Sequence, residues 1–340
     1  MKRRGIGIGC GFYGTGYGNG FPDVSRAIAE LQDDGRVAIY VGATEVGQGA
    51  KTILVQIAAE VMGVNIEDIV LYCESTENTP DSGTAAASRQ TYNTGNAVKK
   101  ACEGLKEELI YIAINKLGLN SKTGIRVDNK RIFLGSYPDG FIDFISIAEG
   151  LKGEKLRFEG EFTAGTTKID EETGQGAPYW PYTFSVYGVE VEVDTETGAV
   201  EVIRGVCAQD VGRAINPKLV EGQIDGGFAM ALGYALQEDL GLHKGEMKNN
   251  RFSKYIIPTA MDMPDIEKIL VEDPEITGPY GAKGVGEPVM VAATPAILNA
   301  IYDAVGVRVT EIPITPDKLL KGIKEVGMKG RVLNEGGLKG

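Results

Sequence analysis

Apolar positions along the chain fall into blocks of two periods, separated by glycine and polar runs. Val37-Ala38-Ile39-Tyr40-Val41 follows the turn Asp33-Asp34-Gly35-Arg36 and predicts a strand. Beyond Glu45-Val46-Gly47-Gln48-Gly49, the residues Ile53, Leu54, Ile57, Ala58, Val61 and Met62 share one helical face and predict an amphipathic helix. Ile69-Val70-Leu71-Tyr72 predicts a further strand. A polar loop rich in Thr and Ser runs from Glu74 to Thr91. Ala97, Ala101, Leu105, Leu109 and Ile112 then keep step through a long helix from about Gly95 to Leu117.

Residues 118–178 are polar and punctuated by Gly, and a domain boundary is placed near 160–176. It divides the chain into a first α+β domain, 1–165, and a second, 166–340. In the second, Tyr182 to Val193 alternates as a strand, Asp194 to Gly198 turns, and Val200 to Cys207 returns. Leu219, Ile224, Phe228, Leu232 and Leu236 predict a helix from Pro217 to about Leu236, and the last clear helix covers Ala292–Val305. Strand, Glu45-Val46-Gly47, helix in the first half is echoed by strand, Asp210-Val211-Gly212, helix in the second. The expected fold class is therefore α+β, two domains of mixed sheets with packed helices and an internal duplication.

Composition narrows the function. The chain has 340 residues, 43% of them apolar and 24% charged, enough for two packed cores. A net charge of −12 leaves no basic surplus for phosphate neutralisation and argues against nucleic-acid binding. One His excludes a His-rich metal site. Cys10, Cys73, Cys102 and Cys207 form no CxxC, which argues against zinc ribbons, cysteine-ligated iron–sulfur clusters and thioredoxin-type chemistry. Sparse cysteines in an acidic chain predict a reducing cytoplasm. No segment is read as reaching the roughly 18 apolar residues of a membrane span. Met1-Lys2-Arg3-Arg4 before Gly5-Ile6-Gly7-Ile8 imitates a signal peptide, but the apolar part is short and glycine-rich and has no cleavage site.

Several stretches suit a ligand. Gly9-Cys10-Gly11-Phe12-Tyr13-Gly14 matches GxGxxG, yet Gly16, Gly18 and Gly20 would break the helix that a dinucleotide site needs. The stretch from Gly5 to Gly20 is read as a short strand running into a loop, with Phe12, Tyr13 and Tyr17 as a wall for a flat ligand. Gly47-Gln48-Gly49 at a helix start admits either a close anionic ligand or a tight capped turn. Thr84-Ala85-Ala86-Ala87-Ser88-Arg89-Gln90-Thr91 offers amides and hydroxyls for phosphate oxygens, with Arg89 adding charge; the alternative is a solvated, helix-capping loop. In Lys283-Gly284-Val285-Gly286-Glu287-Pro288 an apolar neighbourhood surrounds Glu287, either a general base or a structural carboxylate paired with Lys283. Gln223 is a ligand contact or helix packing. Asp210 reads as a turn and cap, His243 as an exposed loop residue, and Cys207 as core.

Taken in order, Thr44-Glu45-Val46-Gly47-Gln48-Gly49, Ala86-Ala87-Ser88, Asp210-Val211-Gly212-Arg213-Ala214-Ile215-Asn216-Pro217, Gly222-Gln223-Ile224 and Gly284-Val285-Gly286-Glu287-Pro288 resemble the molybdenum-binding polypeptide of the xanthine dehydrogenase / aldehyde oxidase family. The resemblance covers nearly the whole chain and corresponds to the C-terminal half of that polypeptide, which suggests a split gene whose other half is a separate large subunit. Within the family it is closest to the medium molybdopterin subunit of nicotinate dehydrogenases. The resemblance implies Glu287 as catalytic base. It implies cofactor contacts from Gly47, Gln48, Gly49, Ala87, Ser88, Arg89, Gln90, Gln223, Lys283 and Gly286, and substrate contacts from Phe12 and Tyr13. Xanthine oxidases place a ring-stacking Phe near the position of Cys10, so purine specificity does not carry over with the motifs.

The implied cofactor is molybdopterin cytosine dinucleotide with Mo bearing a sulfido or selenido ligand, held through the pterin dithiolene and by no protein ligand. The implied reaction hydroxylates an electron-poor carbon of an N-heteroaromatic ring, nicotinate to 6-hydroxynicotinate, with water as oxygen source. FAD and 2Fe-2S centres would reside on partner subunits, with NADP as final acceptor. A purine dehydrogenase subunit and a non-catalytic cofactor-binding or maturation protein are the alternatives.

Overall fold

The structure is a computed structural model and describes residues 1–335. The chain opens with β1 (Lys2–Gly14), β2 (Val24–Leu31), β3 (Val37–Val41), α1 (Ala50–Met62), β4 (Ile69–Tyr72) and α2 (Gly95–Leu117). A small antiparallel sheet follows, of β5 (Ile125–Asp128), β6 (Arg131–Leu134) and β7 (Tyr137–Asp143), then α3 (Phe144–Gly150) and β8 (Arg157–Thr163). The second half holds β9 (Tyr182–Asp194), β10 (Val200–Asp210), α4 (Pro217–Leu236), and the two-residue strands β11 (Leu242–His243) and β12 (Glu246–Met247). It ends with β13 (Asp265–Val271), α5 (Pro288–Val291), α6 (Ala293–Val305) and α7 (Pro316–Glu335).

Two four-stranded mixed sheets carry the fold, in the orders β4-β3-β2-β8 and β1-β9-β10-β13. Both are wired alike. In one, the hairpin β2–β3 turns through Gly47 and Gly49 into α1, and β4 returns parallel to β3. In the other, the hairpin β9–β10 turns through Gly212 into α4, and β13 returns parallel to β10. A long loop follows each returning strand, and a helix then lies across the sheet, α2 over β2 and β8, α6 over β9 and β1. The echo between Glu45-Val46-Gly47 and Asp210-Val211-Gly212 is the trace of this repeated module.

Each module has its own core. Ile39, Leu54, Ile57, Met62, Leu105 and Leu109 are buried in the first. Tyr187, Val191, Phe228, Leu232, Ile297 and Ile301 are buried in the second. The division at 165/166 needs correction, because β1 pairs along its whole length with β9, from Lys2 opposite Asp194 to Gly14 opposite Tyr182. Residues 2–14 thus belong with the second module.

The glycine-rich opening is a long strand, with the loop confined to residues 15–23. Gly5, Gly7 and Gly9 face α6, and a Cβ on Gly7 would lie 2.2 Å from the carbonyl oxygen of Ala296. β8 repeats the device at Gly160, where a Cβ would lie 2.1 Å from the carbonyl oxygen of Ala97 in α2. Close packing, and no dinucleotide turn, explains the GxGxxG match: Gly9 clears the backbone at the start of α6, and Gly11 and Gly14 clear the side chains of Ser185 and Tyr179. The segment Pro288–Val305 also corrects an expectation: over 18 residues its mean hydropathy reaches 1.3, long and apolar enough for a span. Val289, Ala292, Ala296, Ile297 and Ile301 place that apolar surface in the second core.

Candidate active site

A cleft of about 190 Å³ opens where the starts of α1 and α4 meet the two long loops. Gln48 and Ile53 come from the first helix start, Leu219 and Gln223 from the second. Residues 85, 86 and 88–91 come from one loop; Gly286 and Glu287 come from the other.

The turn into α1 is organised by Glu45. Its Oε1 accepts from the amides of Gly47 (2.8 Å) and Gly49 (2.9 Å), and its Oε2 from that of Lys51 (3.0 Å). Burial alone would raise this carboxyl's pKa, but the three amides outweigh it and hold it below its ordinary value. Gly47 and Gly49 sit at φ 100° and 85°, the left-handed region that lets both amides point at one carboxylate. The anion position at this helix start is therefore filled from within the chain. Gln48 is engaged as well. Its Oε1 accepts from the Val46 amide at 2.7 Å, and its Nε2 donates to the Thr44 carbonyl (2.8 Å) and to Gln90 Oε1 (2.6 Å).

The loop before α2 presents unspent donors. Ala87 and Ser88 both adopt positive φ, 54° and 53°. The amides of Ala85, Ala86, Ala87 and Ser88 find no protein acceptor among the described residues. Four free amides on a curled backbone beside a helix start form a donor set for phosphate-type oxygens. Gln223 also makes no side-chain hydrogen bond among the described residues, and it lines the same cleft.

Arg89 does not serve this surface. It is fully buried, and Nε pairs with Asp23 at 2.5 Å. Nη1 donates to the carbonyls of Ser82 and Thr84, and Nη2 to the Val24 carbonyl and Ser25 Oγ. All five guanidinium hydrogens are used within the protein, so the expectation of a cofactor-binding Arg89 is corrected. Lys283 is corrected likewise. Its ammonium, 6% exposed, pairs with Asp210 at 2.8 Å and approaches Asp273 at 3.5 Å. Asp210 accepts from the Gly212 amide at 3.0 Å, and Lys283 donates its own amide to the Val211 carbonyl at 3.0 Å. The pair locks the turn before α4 to the Glu287 loop, and it leaves Glu287 without Lys283 as a partner.

Glu287 stands at the start of α5, exposed to the cleft. Ser88 Oγ donates to its Oε2 at 3.0 Å and accepts from its backbone amide at 2.9 Å. The Tyr13 hydroxyl donates to the same Oε2. Burial, then the bond to this carboxylate, pushes the Tyr13 phenol well above its ordinary pKa, so it stays a proton donor. Oε1 of Glu287 accepts no bond among the described residues. A carboxylate held by one oxygen, with the other presented to a cleft, can accept a proton from a bound molecule. Gly284 makes room for this, since a Cβ there would lie 1.9 Å from the Ser88 carbonyl oxygen, whereas a Cβ on Gly286 would only touch Ser88 Oγ at an ordinary 3.5 Å.

Phe12 is corrected by strand alternation. Tyr13 shares the face of Gly9 and Gly11, whereas Phe12 points the other way, 65% exposed and stacked on Tyr182 at 4.6 Å. Tyr17 packs beneath Arg89 and takes the Thr84 amide at 2.9 Å. Glu45 and Asp23 escaped the sequence reading as organisers of the site. Glu45 carried a usable signal, an acid two residues before Gly47 at a helix start.

Residues 1–264 match the family described as "Molybdopterin cofactor-binding domain". A probable xanthine dehydrogenase subunit of Bacillus subtilis is 33% identical over 333 residues, which make up 96% of this chain and 43% of that one. The solved aldehyde oxidoreductase of Desulfovibrio desulfuricans is 35% identical with a TM-score of 0.77, over 94% of this chain and 32% of that one. The solved quinoline 2-oxidoreductase of Pseudomonas putida is 27% identical with a TM-score of 0.81, over 95% and 42%. The chain therefore spans 32–43% of the length of these relatives.

Proposed function

The chain belongs to the molybdopterin cofactor-binding family of xanthine dehydrogenase and aldehyde oxidoreductase-type molybdenum hydroxylases, and we propose that it supplies the base-bearing part of an enzyme that hydroxylates an N-heteroaromatic ring carbon next to nitrogen. By the resemblance, the proposed reaction is nicotinate to 6-hydroxynicotinate, with water as the oxygen source. The observation that carries the reading is the hold on Glu287, clamped through Oε2 by Ser88 and Tyr13 with Oε1 free at the cleft.

The donor set fits the group. The amides of residues 85–88 would take the pyrophosphate of a molybdopterin dinucleotide, the cytosine form by resemblance, and Gln223 would take a pterin edge. Gln48 would join only by releasing one of its present bonds. When bound, the molybdenum–pterin group, with a sulfido or selenido ligand, supplies the two-electron redox chemistry. Glu287 would remove the proton of the attacking water through Oε1. Ser88 and Tyr13 would keep the carboxylate aimed, and the apolar wall of Val46, Ile53, Leu219 and Val285 would keep the cleft dry. Electrons would leave through separate 2Fe-2S and FAD subunits to NADP, in a cytoplasmic complex that also contains a large molybdopterin subunit.

The test uses the complex from its native cells. About one molybdenum per chain is expected, and Glu287→Gln should lower turnover about 10²–10⁴-fold with molybdenum unchanged. Turnover near wild type removes Glu287 from the role. A chain with neither molybdenum nor partner polypeptides sinks the enzyme reading. Oxidation of nicotinate but not of xanthine or hypoxanthine supports the substrate; the reverse assigns a purine dehydrogenase subunit.

A further inference from the structure

The sheet β1-β9-β10-β13 has two apolar faces. One is covered by α4 and α6. The other carries Ile6, Ile8 and Phe12 of β1, Phe184 and Val186 of β9, and Ile269 of β13, each 42–65% exposed. Register makes them one patch. Cys10 lies opposite Val186, Val186 opposite Ala208, and Ala208 opposite Ile269, so a single row crosses all four strands. In the next row Phe12 lies opposite Phe184, their rings 5.1 Å apart.

Strands β1, β9 and β10 of this mixed sheet are antiparallel, where a solvated face normally carries polar residues, and this outer face breaks that rule. Contiguous exposed apolar surface of this kind marks an interaction site. Charge at the far end of the face is already matched within it, Arg4 with Glu192 at 3.1 Å and Arg204 with Glu190 at 2.8 Å. Glu267, in the row of Ile8, has no ion pair among the described residues, so the surface asks for a mainly apolar occupant that leaves this one carboxylate at the edge.

We propose that this face seats a second polypeptide equivalent to the part of the molybdopterin-binding relatives that this chain does not span. This rests on the reading that such a partner exists. In three such relatives, the equivalent of nearly this whole chain is 32–43% of one polypeptide, so the larger remainder accompanies it there one to one. A sheet apolar on both sides needs permanent cover of that kind. The patch also adjoins the candidate site, because Phe12 precedes Tyr13, which reaches Glu287 from the opposite face. The occupant would lie one sheet thickness from the reacting centre.

A benzophenone amino acid introduced at Phe184 in the full chain, in cells making the whole enzyme, tests the seat. A second probe at the exposed Ile276 serves as control. After irradiation, the peptide linked from Phe184 is expected to come from a polypeptide similar to the uncovered part of the relatives. Val186→Lys should lower recovery of that polypeptide with the chain about tenfold or more, since it buries an unpaired charge, with circular dichroism unchanged. Cys10 should be alkylated in the isolated chain and protected in the complex. A link to a second copy of this chain, or to an iron–sulfur or flavin chain, overturns the inference. Equal Cys10 labelling in both forms, or full retention of the partner by Val186→Lys, does so too while leaving the partner itself established. A wild-type complex that lacks any such polypeptide overturns the reading and the inference together.

Discussion

Tyr13 and Phe12 are adjacent, yet one touches the candidate base and the other an open sheet face. Composition cannot separate them, because both are aromatic; only the pleat does, and it became readable once β1 was a strand to Gly14. Tyr13→Phe removes one of two donors to Oε2 and keeps the ring. Bonds to charged groups are worth about 1.5–3 kcal/mol, so kcat/KM should fall about 10- to 100-fold with molybdenum retained. An unchanged kcat/KM would show that Ser88 alone aims the carboxylate. The motifs around Gln48, Ser88, Gln223 and Glu287 were legible because each is local, and the structure gathers all four at one cleft. Arg89 and Lys283 were misread because their partners, Asp23 and Asp210, lie 66 and 73 residues away. Such a cation looks free in sequence. Arg89→Met should leave Asp23 buried and unpaired and cost about 3–5 kcal/mol, read as a lowered urea midpoint. A midpoint within error of wild type would refute the structural role.

Elements with strong periodicity were the readable ones. Val37–Val41, Ile69–Tyr72, Gly95–Leu117 and Pro217–Leu236 fall where the pattern puts them. β13 alternates, but with Glu267 and Lys268 inside it, and β5 to β7 are short strands with much of their surface exposed. α7 is strongly amphipathic, with Leu319 buried in the second core and Ile323 against it, but its low overall hydrophobicity hid it in the sequence. The strands among these elements draw their stability from packing that sequence periodicity does not display. β1 hid for a different reason, since its glycines resemble a loop until α6 is placed against them. Gly7→Ala should force strand and helix apart at a cost of about 1–3 kcal/mol, and calorimetry should show a melting temperature lower by several degrees. At the start of α1, the lowered pKa of Glu45 has a definite consequence. A folded-state pKa below the unfolded one stabilises the fold above the ordinary carboxyl value of 4.5, and that gain is lost as pH falls through the folded value. The urea midpoints of wild type and Glu45→Gln should differ at neutral pH and converge as acidification passes through the lowered folded value. A gap that widens in acid would contradict this capping role.

The whole molecule is two copies of one wiring, each with its own apolar core, meeting along a seam where Ile215 and Tyr280 of the second module pack against the first core and the remaining contacts are polar. Gln56 Oε1 accepts from Asn216 at 3.1 Å across it, and Ser88 meets Glu287. Thr277 is a hub of the same seam. Its hydroxyl meets Tyr92 at 2.6 Å, just before α2, and its carbonyl accepts from Asn96 at 2.9 Å, in the first turn of α2. Net stabilisation from such bonds is about 0.5–1.5 kcal/mol each, small beside either core. Without a ligand in the cleft the two modules should therefore unfold in separate steps, and a ligand that spans both loops should join them. A group held by the amides of residues 85–88 and by Gln223 touches both modules at once. Its binding energy exists only while both are folded and docked, so it is shared between the two transitions. Calorimetry of the cofactor-free chain should resolve two endotherms, and the loaded form should show one at higher temperature. Thr277→Val should widen the separation in the free chain and leave the loaded form nearly unchanged. A single transition in the free chain, unaffected by Thr277→Val, would mean that the seam is as strong as the cores and that the duplicated modules fold as one unit.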